Sequence, residues 1–380
     1  MTQEKKLVWI HRLSPIAYDL ALGGLCLYIW FRGSQWLNLL LPLDVGVPLA
    51  LVLAGYYLLN LMTIQRKDNR KSVTYITSVG TFLVMYLSMT IAASDLVRGI
   101  MGLCGAAERA RGMAFFLGGC ACLVLTAAAV AVGMVHARKL VTVNYQVPVA
   151  HLGKEARLVL LSDLHIGHFV GKKHIQNLVA QVNRLKPDLV LISGDLINAG
   201  NTNECPDIDQ VARELEGLRT EHGVFAVTGN HDPAPEDPDF RRFLRRARIH
   251  LLEDKTCDAG PVQLVGRKSK IRPRAALTEL MADCTGEKPV VVLDHDPIGI
   301  QEARQAGADC VLCGHTHRGQ VFPLDLLVRL LYPKEELWGM GRKGKTTSIV
   351  SAGAGYFSMP MRLGSDSEIV CIDLISQDET

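Results

Sequence analysis

The sequence lacks the compositional extremes that mark several large classes of protein. Only 21% of its 380 residues are charged and 48% are hydrophobic, which excludes a disordered chain, a collagen-like chain and a coiled coil. Ten cysteines are far below the density of a disulfide scaffold in a chain of this length. The net charge is only +3, so the chain has no basic excess of the kind that indicates nucleic-acid binding. No nucleic-acid partner is therefore expected.

Apolar residues are concentrated in the first third of the chain. The mean hydropathy of the whole chain is +0.17, which is unusual for a soluble enzyme and suggests a membrane part. Residues 1–136 hold eleven Lys and Arg against six Asp and Glu, a net charge of +5. Residues 137–380 have a net charge of −2 and hold ten of the twelve histidines. We therefore predict a membrane domain at 1–138 and a second, histidine-rich domain at 139–380.

Four apolar runs in the first domain predict transmembrane helices. They lie at 14–31, 45–62, 73–94 and 113–135. Each run is near or above the roughly 18–20 residues that span a hydrocarbon core as a helix. Asp19 makes the first run the weakest of the four. The apolar segments continue well past the length of a cleavable signal peptide, so no signal peptide is expected.

Basic residues in the short loops predict the orientation of these helices. One side collects nine basic residues, namely Lys5, Lys6, Arg12, Arg66, Lys67, Arg70, Lys71, Arg138 and Lys139. The opposite side has four, namely Arg32, Arg98, Arg109 and Arg111. With four spans, both termini and the large domain face the cytoplasm, as in a multi-pass inner-membrane protein. If the first run does not insert, this count changes.

The second domain alternates short apolar runs with helical stretches. Strands are predicted at 139–148, 158–165, 188–195, 223–232, 289–297, 309–317, 347–355 and 368–375. Helices are predicted near 172–185, 207–219 and 299–306. The first strand is expected to end at Pro148. Apolar runs of four to five residues between helices indicate strands that are buried on both faces, and hence an α/β domain.

Polar residues of the types that bind metals come directly after five of these strands. They are Asp163, His165, Asp195, Asn230, His231, His295, His315 and His317. Because the carboxyl ends of strands in an open α/β sheet face one crevice, these side chains are expected to meet there. A mixed set of nitrogen and oxygen ligands suits Mn, Fe, Zn or a similar divalent ion. The set is too large for one ion, and two ions that share a carboxylate would use it.

These motifs, in this order, resemble the calcineurin-like metallophosphoesterase superfamily. The matching pieces are D-L-H (163–165), G-D-L-I-N (194–198), G-N-H-D (229–232), His295 in L-D-H-D-P and G-H-T-H-R-G-Q (314–320). The resemblance covers about 145–375 and implies a four-layer α-β-β-α sandwich, here preceded by about four transmembrane helices. The late segment 351–364 is similar to the closing segment of the bacterial branch that contains membrane-associated, YaeI/YkuE-type phosphodiesterases.

The resemblance implies a role for each ligand. Asp163, His165 and His317 would hold the first of two divalent ions, and Asn230, His295 and His315 the second, with Asp195 shared between them. Mn²⁺ is favoured, and Fe or Zn are alternatives.

Three further residues are implied as catalytic. His231 would protonate the leaving oxygen or stabilise charge on it, and Asp232 would orient His231. Some branches of the family carry an Asp a few residues after the G-D motif, in the stretch where this chain has Asn198. An Asp there that would tune His231 is therefore absent. Arg318 directly follows the histidine pair and would bind a substrate phosphate, with a solvent-facing Arg as the alternative. His168 is placed either at the rim of the cleft or on the surface.

The resulting expectation is a membrane-anchored phosphoesterase that hydrolyses a phosphodiester or pyrophosphate by attack of a hydroxide that bridges the two metals. The branch resemblance favours a diester over a monoester. The anchor makes a lipid-linked substrate one alternative, although a tether can also merely localise an enzyme. A different class is a transporter or sensor with a degenerate phosphoesterase domain. The complete ligand set and the scarcity of intramembrane charge favour the enzyme.

Three other features invite functional interpretations. Residues 339–346 (G-M-G-R-K-G-K-T) fit a P-loop pattern, but a glycine-rich turn between strands is favoured because no helix is expected to follow. Cys310 and Cys313 lie within a strand, where they point to opposite faces and cannot clamp a metal. The apolar segment 322–333 is either a core-packed helix or strand, or an interfacial lip that admits a lipid-like substrate.

Overall fold

The computed structural model describes residues 3–66, 71–198, 200 and 202–377, and for residues 3–15, 64–66, 334 and 335 the backbone only. Lys67 and Arg70, which belong to the basic loop count, lie outside the described residues. The chain divides into two compact units, Met1–Val132 and Gly133–Thr380.

The first unit consists of long helices. They are α1 (Gln3–Leu40), α2 (Gly46–Arg66), α3 (Lys71–Leu103) and α4 (Glu108–Arg138), and the last turns of α4 belong to the second unit. In the described part of the chain, α2, α3 and α4 are long and apolar enough to cross a membrane, and α1 is not among them. The prediction of four spans is therefore corrected to three candidates. Asp19 and the pair Gly23 and Gly24 reduce the apolar character of α1.

The second unit contains two six-stranded sheets. Its described strands are β1 (Leu140–Val149), β2 (Ala156–Leu161), β3 (Leu189–Ser193), β4 (Val224–Val227), β5 (Ile249–Leu251), β6 (Lys255–Ala259), β7 (Val262–Gly266), β8 (Val290–Leu293), β9 (Cys310–Cys313), β10 (Gly339–Lys343), β11 (Thr346–Val350) and β12 (Ser367–Ser376). Its helices are α5 (Lys172–Leu185), α6 (Ile208–Glu216), α7 (Pro238–Arg246), α8 (Leu277–Met281), α9 (Ile300–Gln305), α10 (Leu324–Leu331) and α11 (Lys334–Leu337). The strand orders are β1-β12-β2-β3-β4-β5 and β10-β11-β9-β8-β7-β6.

Three apolar cores show how the layers stack. Residues of both sheets, such as Leu160 and Leu191 from the first and Leu312 from the second, share one core that lies between the sheets. A second core joins the outer face of the first sheet to α5, α6 and α7. A third joins the outer face of the second sheet to α8 and α9. The predicted four-layer α-β-β-α sandwich is confirmed.

The parallel strands fix where a site can form. β2, β3 and β4 are parallel neighbours in the first sheet, and β8 and β9 are parallel neighbours in the second. Their carboxyl ends therefore lie at one edge of each sheet. β1 continues through Pro148 to Val149 instead of ending at the proline, which is tolerated because β1 is the edge strand of its sheet.

Candidate metal centre

Short loops after five strands carry the candidate ligands. β2 ends at Leu161 and leads into Asp163 and His165, and β3 leads into Asp195. The remaining loops, after β4, β8 and β9, carry Asn230, His295, His315 and His317. Because these loops leave the same edges of the two sheets, the side chains are brought together from positions up to 150 residues apart in the chain.

One group of ligand atoms is formed by Asp163, His165 and His317. All three residues are buried, and each offers an atom within 4.8 Å of the others. The Nε2 atoms of His165 and His317 are 3.0 Å apart, and Nε2 of His317 is 3.3 Å from Oδ1 of Asp163. Two imidazole nitrogens and a carboxylate oxygen that converge in this way fit a divalent cation between them.

A second group is formed by Asp195, His295 and His315, with the same mutual reach of 4.8 Å. Nε2 of His295 is 3.2 Å from Oδ2 of Asp195, 3.1 Å from Nδ1 of His315 and 3.0 Å from the Asn230 amide oxygen. The same Asp195 oxygen is 3.7 Å from Nε2 of His165, a member of the first group. The Asp195 carboxylate therefore lies between the two groups.

The backbone of the ligand loops is held in a sparsely populated conformation. Five of the seven ligand candidates have positive φ, namely Asp163 (53°), His165 (47°), Asp195 (51°), His315 (72°) and His317 (49°). Such values cost free energy for residues with side chains and are typical of functional sites. Gly229 permits the loop after β4 to approach closely, since a Cβ there would overlap the Asp195 carboxylate.

Comparison with known proteins identifies this arrangement. A model of the calcineurin-like phosphoesterase family matches residues 156–319. A Danio rerio transmembrane protein with a metallophosphoesterase domain is 30% identical over 343 residues, which cover 84% of this chain and 77% of that protein. The chain belongs to the calcineurin-like metallophosphoesterase family.

Two further similarities are narrower. A Helicobacter pylori metallophosphoesterase is 31% identical over 237 residues, which cover 60% of this chain and 62% of that protein. The matched region thus spans about three fifths of the length of that relative. The solved structure of a 5′-nucleotidase precursor from Thermus thermophilus overlaps 59% of this chain and 55% of its own, with a TM-score of 0.37 and 15% identity.

Burial and crowding of charge shape the electrostatics of the metallophosphoesterase site. Burial, with the Asp195 charge adding to it, raises the pKa of Asp163 to about 6 and that of Asp232 to about 7. Burial lowers the pKa of His295, but the charge and the hydrogen bond of Asp195 raise it by more, so the pKa of His295 rises to about 10. Buried carboxylates that crowd one another in this way favour binding of cations, which fits the ligand set.

The two residues after Asn230 lie beside the ligand groups. The rings of His231 and His165 have centroids 5.3 Å apart, and the backbone N–H of His231 donates to Oδ1 of Asp195. The carboxylate of Asp232 accepts hydrogen bonds from the backbone N–H groups of Ile197 and Gly229. The Asp232 side chain therefore fixes the backbone of the loop that carries His231.

The other sequence candidates lie in varied surroundings. The Arg318 guanidinium is stacked over the ring of Trp338, 4.0 Å from its centroid, so it is neither directed freely to solvent nor placed among the ligand atoms. His168 is buried, not on the surface, and its two ring nitrogens have no hydrogen-bond partner among the described residues. Asn198 donates to Glu204.

The motifs that suggested other functions fold as ordinary structure. Residues 339–343 form β10 and Thr346 begins β11, so the predicted turn is confined to Gly344 and Lys345, and no helix follows it. Cys310 packs in the core between the sheets and Cys313 in the core under α8 and α9, so the two thiols point to opposite faces. Within the described chain, neither belongs to a group of potential metal ligands.

Sequence reasoning missed Arg362, which is completely buried beneath the first ligand group. Its Nη2 donates to the carbonyl oxygens of Ala352, Gly353 and Gly355 and lies 3.5 Å from Nδ1 of His317. Burial lowers the pKa of Arg362 to about 10, so the guanidinium remains charged at neutral pH. Arg362 lies in the segment 351–364 that resembles the phosphodiesterase branch, but the sequence assigns it no role, because its position beside His317 depends on how that segment folds.

Proposed function

We propose that this chain is a membrane-anchored phosphoesterase that hydrolyses a phosphodiester or a pyrophosphate with the help of two divalent ions. The membrane part corresponds to 1–138 and the catalytic domain to 139–380. One observation carries the proposal: the Asp195 carboxylate lies within 3.2 Å of His295 and 3.7 Å of His165, one from each ligand group. A carboxylate in that place is suited to be shared by two ions.

The proposed ligands divide between the two ions. Asp163, His165 and His317 hold one, and Asn230, His295 and His315 hold the other, with Asp195 common to both. Bound divalent ions supply neutralisation of the phosphate oxygens and lower the pKa of a water molecule that they bind. Mn²⁺ is the favoured ion because imidazole and carboxylate ligands are mixed in each group, with the Asn230 amide added in the second.

His231 is the proposed general acid. Its ring lies next to His165 and the exposed ring of Phe357, with centroids 5.3 Å and 4.8 Å away, at the open side of the ligand groups. From there it can hold a proton for the leaving oxygen, which a departing alkoxide or phosphate requires. Asp232 is a positioning residue for the loop that carries His231. Arg318 would bind phosphate after its guanidinium moves away from the ring of Trp338.

The preference for a diester over a monoester rests on the similarity of 351–364 to the closing segment of membrane-associated phosphodiesterases. The transporter or sensor alternative is disfavoured because the seven ligand candidates are all present and close together.

The test is hydrolysis of bis(p-nitrophenyl) phosphate by the purified full-length protein. We expect activity that is lost after exhaustive chelation and restored by Mn²⁺, with p-nitrophenyl phosphate, a monoester, hydrolysed more slowly. Activity that survives chelation would refute the metal requirement. Faster hydrolysis of the monoester would refute the diesterase assignment and leave the metal requirement standing.

We further propose an inner-membrane location with the catalytic domain in the cytoplasm. With α2, α3 and α4 as the spans, six basic residues at 66–71 and 138–139 share one side of the membrane. The other side has four near span ends, namely Arg32, Arg98, Arg109 and Arg111, because the basic residues at 5–12 lie beyond the roughly 15–20 residues over which the rule counts. A cysteine added at the C-terminus is then protected from an impermeant thiol reagent in intact cells. Labelling of that cysteine would show that the catalytic domain lies on the other side of the membrane.

A further inference from the structure

Helix α10 exposes an apolar surface beside the metal centre. Its sequence L-D-L-L-V-R-L-L has six aliphatic residues, and none of its side chains is buried. Leu330 is 82% exposed and Leu327 is 58% exposed. A short helix with this composition is normally packed into a core, and an exposed apolar patch of this kind indicates a surface that something else covers.

Both ends of α10 are fastened to the loop that carries His315 and His317. At its start, Gly319 packs so closely on the backbone of Asp325 that a Cβ at Gly319 would overlap it. At its end, the buried Tyr332 ring stands edge-on to the ring of His315, with centroids 6.2 Å apart. The exposed leucines are therefore held at a fixed place next to the ligand groups.

The segment before α10 is joined to the closing loop, residues 356–367. The Gln320 side chain makes two hydrogen bonds to the backbone of Phe357, donating from Nε2 to its carbonyl and accepting at Oε1 from its N–H. The backbone N–H of Phe322 donates to the carbonyl of Leu363. Phe322 and Phe357 are each more than 40% exposed, and the Phe357 ring is 4.8 Å from that of His231. The apolar surface thus continues from α10 to the entrance of the site.

The last turns of α4, which belong to the catalytic unit, contact the same closing loop. The backbone N–H of Arg362 donates to the carbonyl of Gly133, and Nδ1 of His136 is 2.9 Å from Oδ1 of Asp366. Only Lys139 separates the end of α4 from β1. A helix that is long and apolar enough to cross a membrane therefore enters the catalytic unit at the loop to which α10 is attached.

We propose that the exposed face of α10, together with Phe322 and Phe357, lies in the headgroup region of the bilayer, so that the site acts on a phosphoester carried by a membrane lipid. The attachment of this surface to the end of α4 through the closing loop favours the bilayer over a second copy of the chain or another protein. Arg329 pairs with Asp325 at 3.4 Å but is 57% exposed and borders the leucines, where it can meet lipid phosphates. The inference rests on the proposed phosphoesterase function and names its substrate class.

A matched pair of chromogenic diesters separates the lipid requirement from the chemistry. One is methyl p-nitrophenyl phosphate in solution. The other is dioleoylglycerol p-nitrophenyl phosphate in phosphatidylcholine vesicles that contain the full-length protein. In each, water adds its oxygen to phosphorus, the bond to p-nitrophenolate breaks, and the released protons pass to the buffer. The products are p-nitrophenolate with methyl phosphate or with phosphatidate.

The informative variant is the double substitution Leu327→Glu and Leu330→Glu, with Leu327→Ile and Leu330→Ile as its apolar control. We expect the glutamate variant to lose at least about tenfold in rate on the vesicle diester and less than about twofold on the soluble one, because only the first requires docking of the apolar face. The isoleucine control should resemble the wild type on both.

Two results would overturn the inference. Equal vesicle rates for wild type and the glutamate variant would show that the leucines do not meet lipid. Equal losses on both substrates would show that α10 acts by holding the metal loop. If the wild type with Mn²⁺ hydrolyses neither diester, the proposed function fails, and the docking of α10 is then decided by fluorescence alone.

The fluorescence measurement does not need activity. Leu330→Trp is compared in vesicles of brominated phosphatidylcholine with wild type and with Glu287→Trp, an exposed position just before β8 at the opposite edge of the sandwich. We expect quenching of the added tryptophan at 330 and not at 287. Absence of quenching at 330 would refute docking, and a dimer that the glutamate variant dissociates would assign the surface to a second copy.

Discussion

The membrane unit and the metal centre arrange polar side chains in opposite ways. In the membrane unit, half-buried polar groups of different helices pair with one another. Asp95 accepts from Arg32 at 2.5 Å and from the hydroxyl of Tyr28 at 2.9 Å. Thr81 lies 2.8 Å from the hydroxyl of Tyr56. Such pairs satisfy each group within the protein and hold helices together.

At the metal centre of the catalytic unit, buried polar groups converge instead of pairing. Nε2 of His165 faces Nε2 of His317 at 3.0 Å, and Asp195 lies near histidines of both ligand groups. Like groups that face one another satisfy each other poorly, and a cation bound between them would satisfy both. The difference teaches that convergence of like side chains, and not burial alone, indicates a ligand site.

Asp195→Asn should break the convergent arrangement most severely. The substitution removes the charge that we propose both ions share, so bound metal and hydrolysis of bis(p-nitrophenyl) phosphate should fall together. We expect a loss larger than the 10- to 100-fold typical of an outer-shell partner. Elemental analysis alongside initial rates measures both quantities.

Asp254→Asn is the matched control for that substitution. Asp254 is also a largely buried carboxylate, but it accepts hydrogen bonds from the backbone N–H groups of Lys268 and Ala275 and is not among the ligand candidates. Its loss should lower stability and leave metal content unchanged. Normal metal content and turnover in Asp195→Asn would contradict the shared-ligand role.

Arg362→Lys tests whether the guanidinium fork beneath the first ligand group positions that group, because the substitution keeps the charge and removes the fork. A lysine cannot reproduce the fork that binds three carbonyl groups and lies next to His317. We expect weaker Mn²⁺ binding and a rate lower by about 10- to 100-fold, as for other outer-shell positions. Titration of the rate with Mn²⁺ gives the apparent metal affinity and the limiting rate separately.

Arg267→Lys is the control, because Arg267 is as buried as Arg362 but is paired with Glu302 at 3.2 Å, and it is not among the groups placed at the metal centre. It should lower thermal stability and leave the Mn²⁺ affinity unchanged. Equal changes of Mn²⁺ affinity in the two variants would assign Arg362 a purely structural role.

The sequence predicts the parts of this fold that repeat a simple local pattern. Apolar runs followed at once by Asp, Asn or His predict both the buried strands and the edge at which the ligand candidates meet. β5 and β6 escape prediction because β5 has three residues and β6, K-T-C-D-A, has no apolar run. Arg362 and Gln320 lie in the segments 351–364 and 314–320, but the sequence assigns neither a role, because their contacts with His317 and Phe357 join separate segments of the chain.

The segment 322–333 shows the limit of periodicity most clearly. Its apolar residues fit a core helix equally well, and that alternative is wrong, since no side chain of α10 is buried. A hydrophobic pattern specifies that a face avoids water but not what covers it. The count of four spans is corrected to three candidates because α1, which carries Asp19, is less apolar than α2, α3 and α4.

The paired arrangement in the membrane unit gives the smallest expected effect. Asp95→Asn weakens the contact with Arg32, and a double-mutant cycle with Arg32→Gln measures the coupling between the two side chains. We expect a coupling free energy of about 0.6–1.7 kcal/mol, measured from unfolding in mixed micelles, in line with interhelical polar contacts in membranes.

Tyr28→Phe, which removes one neutral hydrogen bond to the same carboxylate, is the control and should cost less. Hydrolysis of the soluble diester should stay within about twofold of wild type, because these groups pair with one another and none is a proposed ligand. A coupling near zero, or a loss of hydrolysis that matches Asp195→Asn, would remove the distinction between paired and convergent polar groups.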